Sequence, residues 1–302
     1  MTDRRIAVLD APSNLGLRPP EPGSAPGCYK LPWALRDRHL VTMLDALDAG
    51  ALVPPRYRAE WNPGDGDRNA AAIAVFSAQL AARLGALIEA EHLALVLGGD
   101  CSILVGNMLA LKRRGRYGLV YIDAHSDFRH PQNAPAIGAA AGEDLAIVTG
   151  RGDPRLINLE DCGPYVRDDD VVLLGVRDGD ECLSELAELG FEVITSGHVA
   201  ELGAEQAAAQ ALATVTGDTQ GFWIHLDLDV VDAAELPAVD SPEPNGLSFA
   251  TLAALLKPLL GSPHCVGLEL TIYDPDLDPH GHYADRIVAC LGEMFVRAAP
   301  AG

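Results

Sequence analysis

Short apolar runs alternate with alanine- and leucine-rich segments along this 302-residue chain. Polar residues do not interrupt the apolar runs at every second position, so each predicted strand is expected to be buried on both faces. Buried strands that alternate with helices are typical of a parallel sheet covered by helices on either side. The sequence therefore predicts an α/β fold, a doubly wound and mostly parallel sheet in three layers. The predicted strands are Ile6–Leu9, Leu93–Leu97, Tyr117–Ile122, Val171–Val176, Glu192–Thr195, Gly221–Asp227 and Val266–Leu270, and the predicted helices are Ala70–Ala90, Ile103–Arg113, Glu181–Leu189, Ala200–Thr216, Ser248–Leu260 and Tyr283–Val296.

The length of the chain bears on the number of domains. A chain of 302 residues is near the upper limit for one hydrophobic core. Its Pro/Gly-rich segments, Ala11–Pro32, Val53–Asp67 and Asp274–His282, are short enough to be loops rather than interdomain linkers. We therefore expect residues 1–302 to form a single domain.

The charge balance and the termini exclude several classes of protein. The 22 basic and 43 acidic residues give a net charge of −21, which argues against binding to nucleic acid or to an anionic membrane. The N-terminus lacks a signal-peptide pattern, and no uninterrupted apolar stretch reaches about 18 residues, so we expect a cytoplasmic protein. The six cysteines are scattered without close pairs, which disfavours a disulfide framework and a structural zinc knuckle.

Two stretches rich in carboxylates follow predicted strands. In an extended chain, residues two apart point the same way, so alternate residues of each stretch are expected to share one face. If the two strand ends are neighbours, four carboxylates and one imidazole converge. So many like charges require a compensating cation, and the pattern predicts a site for two metal ions. The residues concerned are Asp123, His125, Asp127, Asp227 and Asp229.

The ligand types indicate which metals are suitable. Carboxylate oxygens with a single imidazole favour Mn²⁺ or a similar divalent ion over the zinc of Cys- and His-rich sites. Two such ions about 3.5–4 Å apart would ionise a water molecule between them. A single aspartate at a strand end is more often a solubilising or capping residue, but the pattern repeated at two strand ends favours metal binding.

A third motif, Gly98-Gly99-Asp100-Cys101-Ser102, lies between a predicted strand and a predicted helix. The glycines permit a tight turn, which would bring Cys101 to the same edge of the sheet. A metal ion there would deprotonate the thiol. The alternative interpretation is an ordinary buried cysteine.

Together, the three motifs resemble those of the ureohydrolase family, which includes arginases and agmatinases. That family carries Gly-Gly-Asp-His-Ser, Asp-Ala-His-x-Asp and Ser-x-Asp-x-Asp-x-x-Asp-Pro in this order and at similar spacing. The resemblance continues at residues 175–180, 240–247 and 268–270 and spans roughly residues 6–295. It implies the family's doubly wound fold, a homo-oligomer and a small guanidino or amidino substrate. It also implies hydrolysis of a linear C–N bond, in which a hydroxide that bridges two metal ions attacks the carbon.

The resemblance also implies roles for the metal ligands. By position, Asp123 and Asp227 would bridge the two metal ions and take part in catalysis. His125 and Asp229 would complete one metal site, and Asp127 and Cys101 the other, which together make the predicted metal ligands Cys101, Asp123, His125, Asp127, Asp227 and Asp229.

Two further acids match substrate-binding residues of the family. Glu269 matches a catalytic acid that holds the substrate's guanidinium group, and Asp180 matches an acid that helps to bind the amino end of the substrate in arginases. Without the resemblance, Glu269 would be a carboxylate at a strand end and Asp180 a helix N-cap.

The chain departs from the family pattern in three places. Cys101 stands where the family has a histidine ligand. Because a thiolate is a softer ligand, Zn, Co and Fe become candidate metals beside Mn, or one of the two sites binds no metal. In having a cysteine at this position, the chain is similar to a branch of the family that resembles hydroxyarginine hydrolases. Arg129 stands near the position of an arginase asparagine and could clamp a substrate carboxylate, as in a formimidoylglutamate hydrolase, or be solvated. Residues 137–142 offer no titratable side chain where arginases have a proton-shuttle histidine. His130 could replace it, or could be an ordinary surface histidine.

Three functions remain open from the sequence. The first is a metal-dependent amidinohydrolase, and the missing shuttle favours a substrate such as an N-hydroxyguanidine, which needs less help from a general acid. The second is a degenerate family member that binds a metabolite or a partner without turnover. The third, a deacetylase-like zinc hydrolase, is disfavoured because the paired motifs suit two metal ions better than one.

Overall fold

The computed structural model describes residues 4–295, which contain a sheet of eight strands. The strands lie in the order β2-β1-β3-β8-β7-β4-β5-β6, and every pair of neighbours is parallel. Their bounds are Ile6–Asp10 (β1), Leu47–Ala51 (β2), Leu93–Leu97 (β3), Gly118–Ile122 (β4), Val171–Leu174 (β5), Glu192–Ile194 (β6), Phe222–Asp227 (β7) and Cys265–Thr271 (β8).

Ten α-helices of the described range cover the two faces of this sheet. They are Leu31–Arg36 (α1), Leu40–Met43 (α2), Ala70–Glu89 (α3), Leu104–Lys112 (α4), Asp144–Val148 (α5), Leu183–Leu189 (α6), Ser196–Leu202 (α7), Ala204–Val215 (α8), Phe249–Gly261 (α9) and His282–Phe295 (α10). Buried residues of α1, α2 and α7–α10 join the core on one face, and those of α3–α6 join the core on the other. The predicted three-layer, doubly wound α/β fold is confirmed.

Strand β3 is apolar throughout because helices pack on both of its faces. In β3, Leu93, Leu95 and Leu97 point into one core, whereas Ala94 and Val96 point into the other. All five residues are buried. Alternate side chains therefore point to opposite faces of the sheet, but both faces are apolar. A short continuous apolar run of this kind is typical of a buried parallel strand.

Several predicted elements differ from the structure. The predicted helix Ala200–Thr216 is wrong, because Gly203 adopts φ 85° and separates α7 from α8. The edge strand β2 and the short helices α1, α2 and α5 were not predicted. The remaining elements agree to within a few residues at each end, although Val296, the predicted last residue of α10, lies outside the described residues.

Helix α3 is long and apolar enough to cross a membrane by length and composition alone. In the fold, its residues Ile73, Phe76, Leu80 and Leu84 are buried in the core that α3 shares with α4. Core helices of α/β proteins often meet the same length and composition criteria, so this feature by itself does not indicate a membrane span.

The order of the strands determines which loops meet. Strands β3, β8, β7 and β4 are consecutive neighbours in the middle of the sheet, and their carboxyl ends lie at one edge. The three motifs follow β3, β7 and β4, so all of them reach this edge. Ligands of open parallel sheets bind outside the carboxyl ends of the strands.

Candidate metal centre

Neighbouring strand ends bring the acidic motifs together. Ile122, the last residue of β4, pairs with Leu226 of β7. Asp123 and Asp227 are the next residues along the two segments, so they lie at the same level of the sheet edge. Both carboxylates are buried, as is Cys101, which follows the turn after β3. The sequence-predicted ligands of the three motifs therefore meet at the centre of the sheet edge.

The first set of possible ligand atoms, the outer group, consists of Asp123, His125 and Asp229, whose ligand atoms all lie within 4.8 Å of one another. His125 Nδ1 is 3.0 Å from Asp229 Oδ2 and 3.6 Å from Asp123 Oδ1. The His125 side chain is 22% exposed, so this group lies at the floor of an open cleft.

The second set, the inner group, consists of Cys101, Asp123, His225 and Asp227, again with ligand atoms within 4.8 Å of one another. Cys101 Sγ donates to Asp227 Oδ2 at 2.8 Å and lies 3.3 Å from Thr271 Oγ1. All four members are buried, so this group lies below the floor of the cleft.

Asp123 belongs to both groups through different oxygens. Its Oδ1 accepts a hydrogen bond from the His125 backbone N–H at 2.7 Å and faces the outer group, whereas its Oδ2 is 3.8 Å from His225 Nε2. Both Asp123 Oδ2 and His225 Nε2 are buried and lack a hydrogen-bond partner among residues 4–295. Orphaned polar atoms of this kind are costly to bury unless a ligand satisfies them. The donor atoms therefore fit two neighbouring divalent cations that share Asp123.

The electrostatics of the protein alone are unfavourable at this position. Burial raises the pKa of Asp227 well above its usual range, and repulsion from Asp229 and Asp123 raises it further. Burial and the charge of Asp123 raise the pKa of Asp229 to about 6. Burial alone would also raise the pKa of Asp123, but attraction to the nearby side chains of His125 and His225 outweighs burial and lowers it. Bound cations would remove this repulsion.

Asp127 reaches the cleft by a different path from the one predicted. The chain does not remain extended after Asp123, because β4 ends at Ile122 and Asp127 adopts a left-handed conformation with φ 41°. Its side chain nevertheless accepts a hydrogen bond from the Tyr121 hydroxyl at 3.3 Å and lines the cleft. Asp127 belongs to neither ligand group, so its role as a metal ligand stays a prediction.

The two predicted substrate-binding acids lie in different environments. Glu269 is fully buried on β8, where it contacts His225 Nδ1 at 2.7 Å and accepts a hydrogen bond from Asn107. Asp180 is half-buried and accepts hydrogen bonds from the backbone N–H groups of Ser126 and Cys182 at 3.0 and 2.9 Å. Asp180 thus holds the loop after β4 near the start of α6.

A cleft of about 620 Å³ opens above the outer group. Arg129 lies on its wall and pairs with Glu181, with Nε 2.5 Å from Oε1. His130 lies outside this lining and is held by Gln132 and Glu185 at 2.7 and 2.9 Å. The segment that lacks the shuttle histidine contributes apolar positions to the wall, namely Ile137, Ala139, Ala141 and Gly142.

Neither His225 nor Asp144 was predicted from the sequence to be a site residue. His225 is two residues before Asp227 in a strand, so the same period of two that joins Asp227 to Asp229 also includes His225. That signal was available. Asp144 Oδ1 accepts a hydrogen bond from the Tyr121 hydroxyl at 2.9 Å, and its Oδ2 is 4.0 Å from His225 Nε2. No spacing in the sequence connects Asp144 to the motifs.

A second pair of buried carboxyl groups lies behind the cleft wall. Burial and repulsion from Asp67 raise the pKa of Glu143 to about 8, and burial and repulsion from Asp153 raise that of Asp67 to about 6. A buried acid with a raised pKa binds protons more tightly in the folded state, so stability falls as the pH rises from about 4.5 to 8. We expect Glu143→Gln to be more stable than the unmodified protein at pH 8, by on the order of 1–3 kcal/mol, and to show a weaker pH dependence.

Urea unfolding at several pH values between 5 and about 9 checks this expectation. Glu188→Gln on the exposed face of α6 is the control and should leave the pH profile unchanged. A Glu143→Gln protein whose stability declines with pH as steeply as that of the unmodified protein would show that Glu143 is ionised without cost.

Comparison with known proteins agrees with this fold. The family model described as "Arginase family" matches residues 25–296. Arginase from Bacillus caldovelox is 29% identical over 300 residues, which cover 96% of this chain and 97% of that protein. The crystal structure of B. caldovelox arginase at pH 5.6 superposes with a TM-score of 0.87 and 27% identity, covering 98% of this chain and 99% of that one. Formimidoylglutamase from Bacillus subtilis shares the fold, with a TM-score of 0.72 at 19% identity over 98% of this chain and 87% of that one.

The family match covers nearly all of the described residues, and the matched range contains every motif that carries the resemblance. Strands β2 to β8 and the two ligand groups at the carboxyl ends of the strands lie within the same range, and β1 precedes it. This chain belongs to the arginase family.

Proposed function

We propose that this chain is a single-domain, metal-dependent hydrolase of a linear C–N bond in a guanidino or amidino compound. The observation that carries this proposal is the pair of ligand groups that share Asp123 at adjacent strand ends. Two divalent cations, when bound, supply Lewis acidity and make a water molecule nucleophilic at neutral pH. Manganese is the first candidate, with zinc, cobalt and iron as alternatives because of Cys101.

The protein's own residues would hold and orient the reactants. Asp123 and Asp227 lie where the two groups meet, while His125 and Asp229 face the cleft from below. His125 Nε2 is 3.7 Å from Glu243 Oε1 on the cleft wall, so the side of the ring opposite Nδ1 faces a carboxylate that can take up a proton. This contact supports proton handling at Glu243 rather than at residues 137–142.

The distribution of charge along the cleft supports a substrate with two unlike ends. The floor carries only carboxylates and His125, whereas the rest of the lining adds the guanidinium groups of Arg18 and Arg129 beside the acids Glu181, Asp240 and Glu243. Arg18 Nη2 donates to the Ile137 carbonyl at 2.9 Å, which keeps this residue beside the wall. A cationic guanidino end would be attracted to the floor and a carboxylate end to the two arginines. We therefore propose a carboxylate-bearing substrate, and an N-hydroxyguanidine among such compounds.

A matched screen tests the substrate class. Purified protein loaded with Mn, Co, Zn or Fe is assayed with arginine, Nω-hydroxyarginine, formimidoylglutamate and agmatine, which lacks the carboxylate of arginine. Release of urea, hydroxyurea, formamide or ammonia is measured. The highest kcat/KM is expected for Nω-hydroxyarginine, and agmatine should be a poorer substrate than arginine. Equal or faster turnover of arginine would contradict the N-hydroxyguanidine assignment, and faster turnover of agmatine would contradict the carboxylate contact.

The second candidate is a family member that binds a metabolite or partner without turnover. The apolar wall at Ala139 and Ala141, where no side chain can shuttle a proton, favours this candidate. Metal-loaded protein that turns over no compound of the screen would support it and contradict the hydrolase. The cytoplasmic location and the homo-oligomer stay predictions from the sequence.

A further inference from the structure

His225 is a buried imidazole whose second nitrogen has no partner in the protein. The side chain is 0% exposed, and Nε2 lacks a hydrogen-bond partner among residues 4–295. The nearest carboxylate oxygens are Asp123 Oδ2 at 3.8 Å and Asp144 Oδ2 at 4.0 Å. Both distances exceed the length of a hydrogen bond. The position of Nε2 is therefore not explained by contacts within the described chain.

The other side of the imidazole ring is tightly held. His225 and Glu269 pair directly across β7 and β8, and Nδ1 is 2.7 Å from Glu269 Oε1. Asn107 donates to the second oxygen of Glu269, so both oxygens of that carboxylate are engaged. The Tyr121 ring stacks on the imidazole at 4.5 Å between ring centroids and 14° between planes. These contacts fix both the position and the direction of the ring.

A hydrogen bond from Nδ1–H to a carboxylate determines which nitrogen keeps its lone pair. With the proton on Nδ1, the lone pair of Nε2 points toward Asp123 Oδ2 and the rest of the inner group. Metal-binding histidines commonly donate their other N–H to a carboxylate in this way. A gap of 3.8 Å between two ligand atoms also suits an ion bound to both, since bonds of about 2.0–2.2 Å on either side span such a gap.

We propose that His225 Nε2 is a ligand of the metal ion held by the inner group, and that Glu269 is a positioning residue that orients His225. This inference rests on the proposed metal-dependent function. The inner ion then has a thiolate, an imidazole and two carboxylates from Cys101, His225, Asp123 and Asp227, a soft tetrahedral set suited to zinc, cobalt or iron. The outer group keeps harder ligands and suits manganese. Glu269 would not be free to contact a guanidinium group.

The competing explanation is a protonated His225 that neutralises Asp123, Asp144 and Glu269 without binding metal. In that case Nε2 carries a proton and cannot be a ligand. Cobalt distinguishes the two, because a tetrahedral Co²⁺ ion with a thiolate ligand has intense visible bands and a sulfur-to-metal charge-transfer band in the near ultraviolet. An added or lost imidazole changes the visible bands, and neither signal depends on turnover.

The experiment titrates the full-length protein and three variants with Co²⁺ under anaerobic conditions. For the unmodified protein we expect two ions per chain, one of which shows the thiolate band. His225→Asn should lower the affinity of that ion by more than the ~10- to 100-fold that loss of an outer-shell partner costs, and should alter its visible bands. Glu269→Gln should lower the affinity within that smaller range. His264→Asn, an exposed histidine before β8, is the matched control and should change nothing.

The outcomes separate this inference from the function on which it rests. Fewer than one cobalt ion per chain in the unmodified protein would contradict the metal-dependent function itself. If His225→Asn binds two ions with unchanged affinity and spectrum, the proposal that His225 is a ligand is overturned, whereas the metal-dependent function is not. If that variant does not fold, X-ray absorption of the unmodified, fully loaded protein decides, because ligation by both His225 and His125 gives two imidazoles per two ions. One imidazole per two ions would refute the proposal.

Discussion

Replacing Asp227 with asparagine is expected to have opposite effects on the metal-free and metal-loaded protein. Without metal, Asp227 is buried beside Asp123 and Asp229, and burial holds its pKa well above the usual range. Removing the cost of ionising this carboxyl in the interior should raise the free energy of unfolding of the metal-free protein by about 1–2 kcal/mol. With metal, a ligand of the inner group is lost, and turnover should fall by roughly 10³-fold or more because the Lewis acid supplies several kcal/mol.

Thermal unfolding with and without metal measures both effects. In the unmodified protein, a metal ion at about 1,000 times its Kd should add about 4 kcal/mol to the free energy of unfolding, and Asp227→Asn should lose much of this gain. Asp169→Asn, an exposed residue before β5 at the opposite edge of the sheet, is the control and should keep the full gain. The assignment of Asp227 as a metal ligand would be contradicted if Asp227→Asn were less stable than the unmodified protein without metal and were stabilised by metal as strongly as the unmodified protein.

Replacing Gly99 with alanine is expected to destabilise the protein by about 3 kcal/mol and to displace Cys101. A Cβ atom at Gly99 would lie 1.7 Å from the Ser13 carbonyl oxygen and 2.7 Å from its carbon. Both atoms belong to the backbone, so the turn after β3 must open to relieve the overlap. Overpacking of this kind usually costs 1–3 kcal/mol, and backbone contacts place this site at or above the upper end of that range, about 3 kcal/mol.

Gly85→Ala is the matched control for this prediction. Gly85 lies within α3, and a Cβ atom there would meet nothing within 4 Å. Alanine should therefore stabilise the helix by about 0.5–1 kcal/mol. Urea midpoints of the two variants should shift in opposite directions, and the affinity for metal should fall only in Gly99→Ala. Equal midpoints in Gly99→Ala and the unmodified protein would show that the turn tolerates a side chain.

The fold was largely predictable from the sequence because burial on both faces leaves a clear pattern. The central strands β3 and β4 are continuous apolar runs, and their bounds were predicted within one residue. The missed strand β2 has the sequence Leu-Asp-Ala-Gly-Ala, lies at the sheet edge and is mostly exposed, so neither its composition nor its polarity marks a strand. Gly203 interrupted a helix that was otherwise continuous in pattern.

The candidate site was predictable only where ligands follow strand periodicity. Asp123 and Asp227 lie where that periodicity places them, at the ends of two adjacent strands, whereas Asp229 lies in a 3-10 helix after β7. Asp127 follows a left-handed turn that no spacing reveals. The contact between His225 and Glu269 depends on the pairing of β7 with β8, which lie 44 residues apart and become neighbours only in the folded sheet.

The sequence also left the environment of each group undetermined. Glu269 was identified from a motif as a substrate contact, but burial and hydrogen bonding decide whether a carboxylate can reach the cleft. In the structure it is enclosed by Asn107 and His225. Such differences arise from side chains that are distant in sequence, and a motif that spans a few residues cannot contain them.

The most direct test of the central claim, that the strand ends enclose two cations, is to count and locate the metal ions. Crystals of metal-loaded protein give an anomalous difference map, and elemental analysis of the same sample gives the stoichiometry. We expect two ions per chain, about 3.5–4 Å apart and on either side of the Asp123 carboxylate. A single ion, or two ions that do not share Asp123, would contradict the claim.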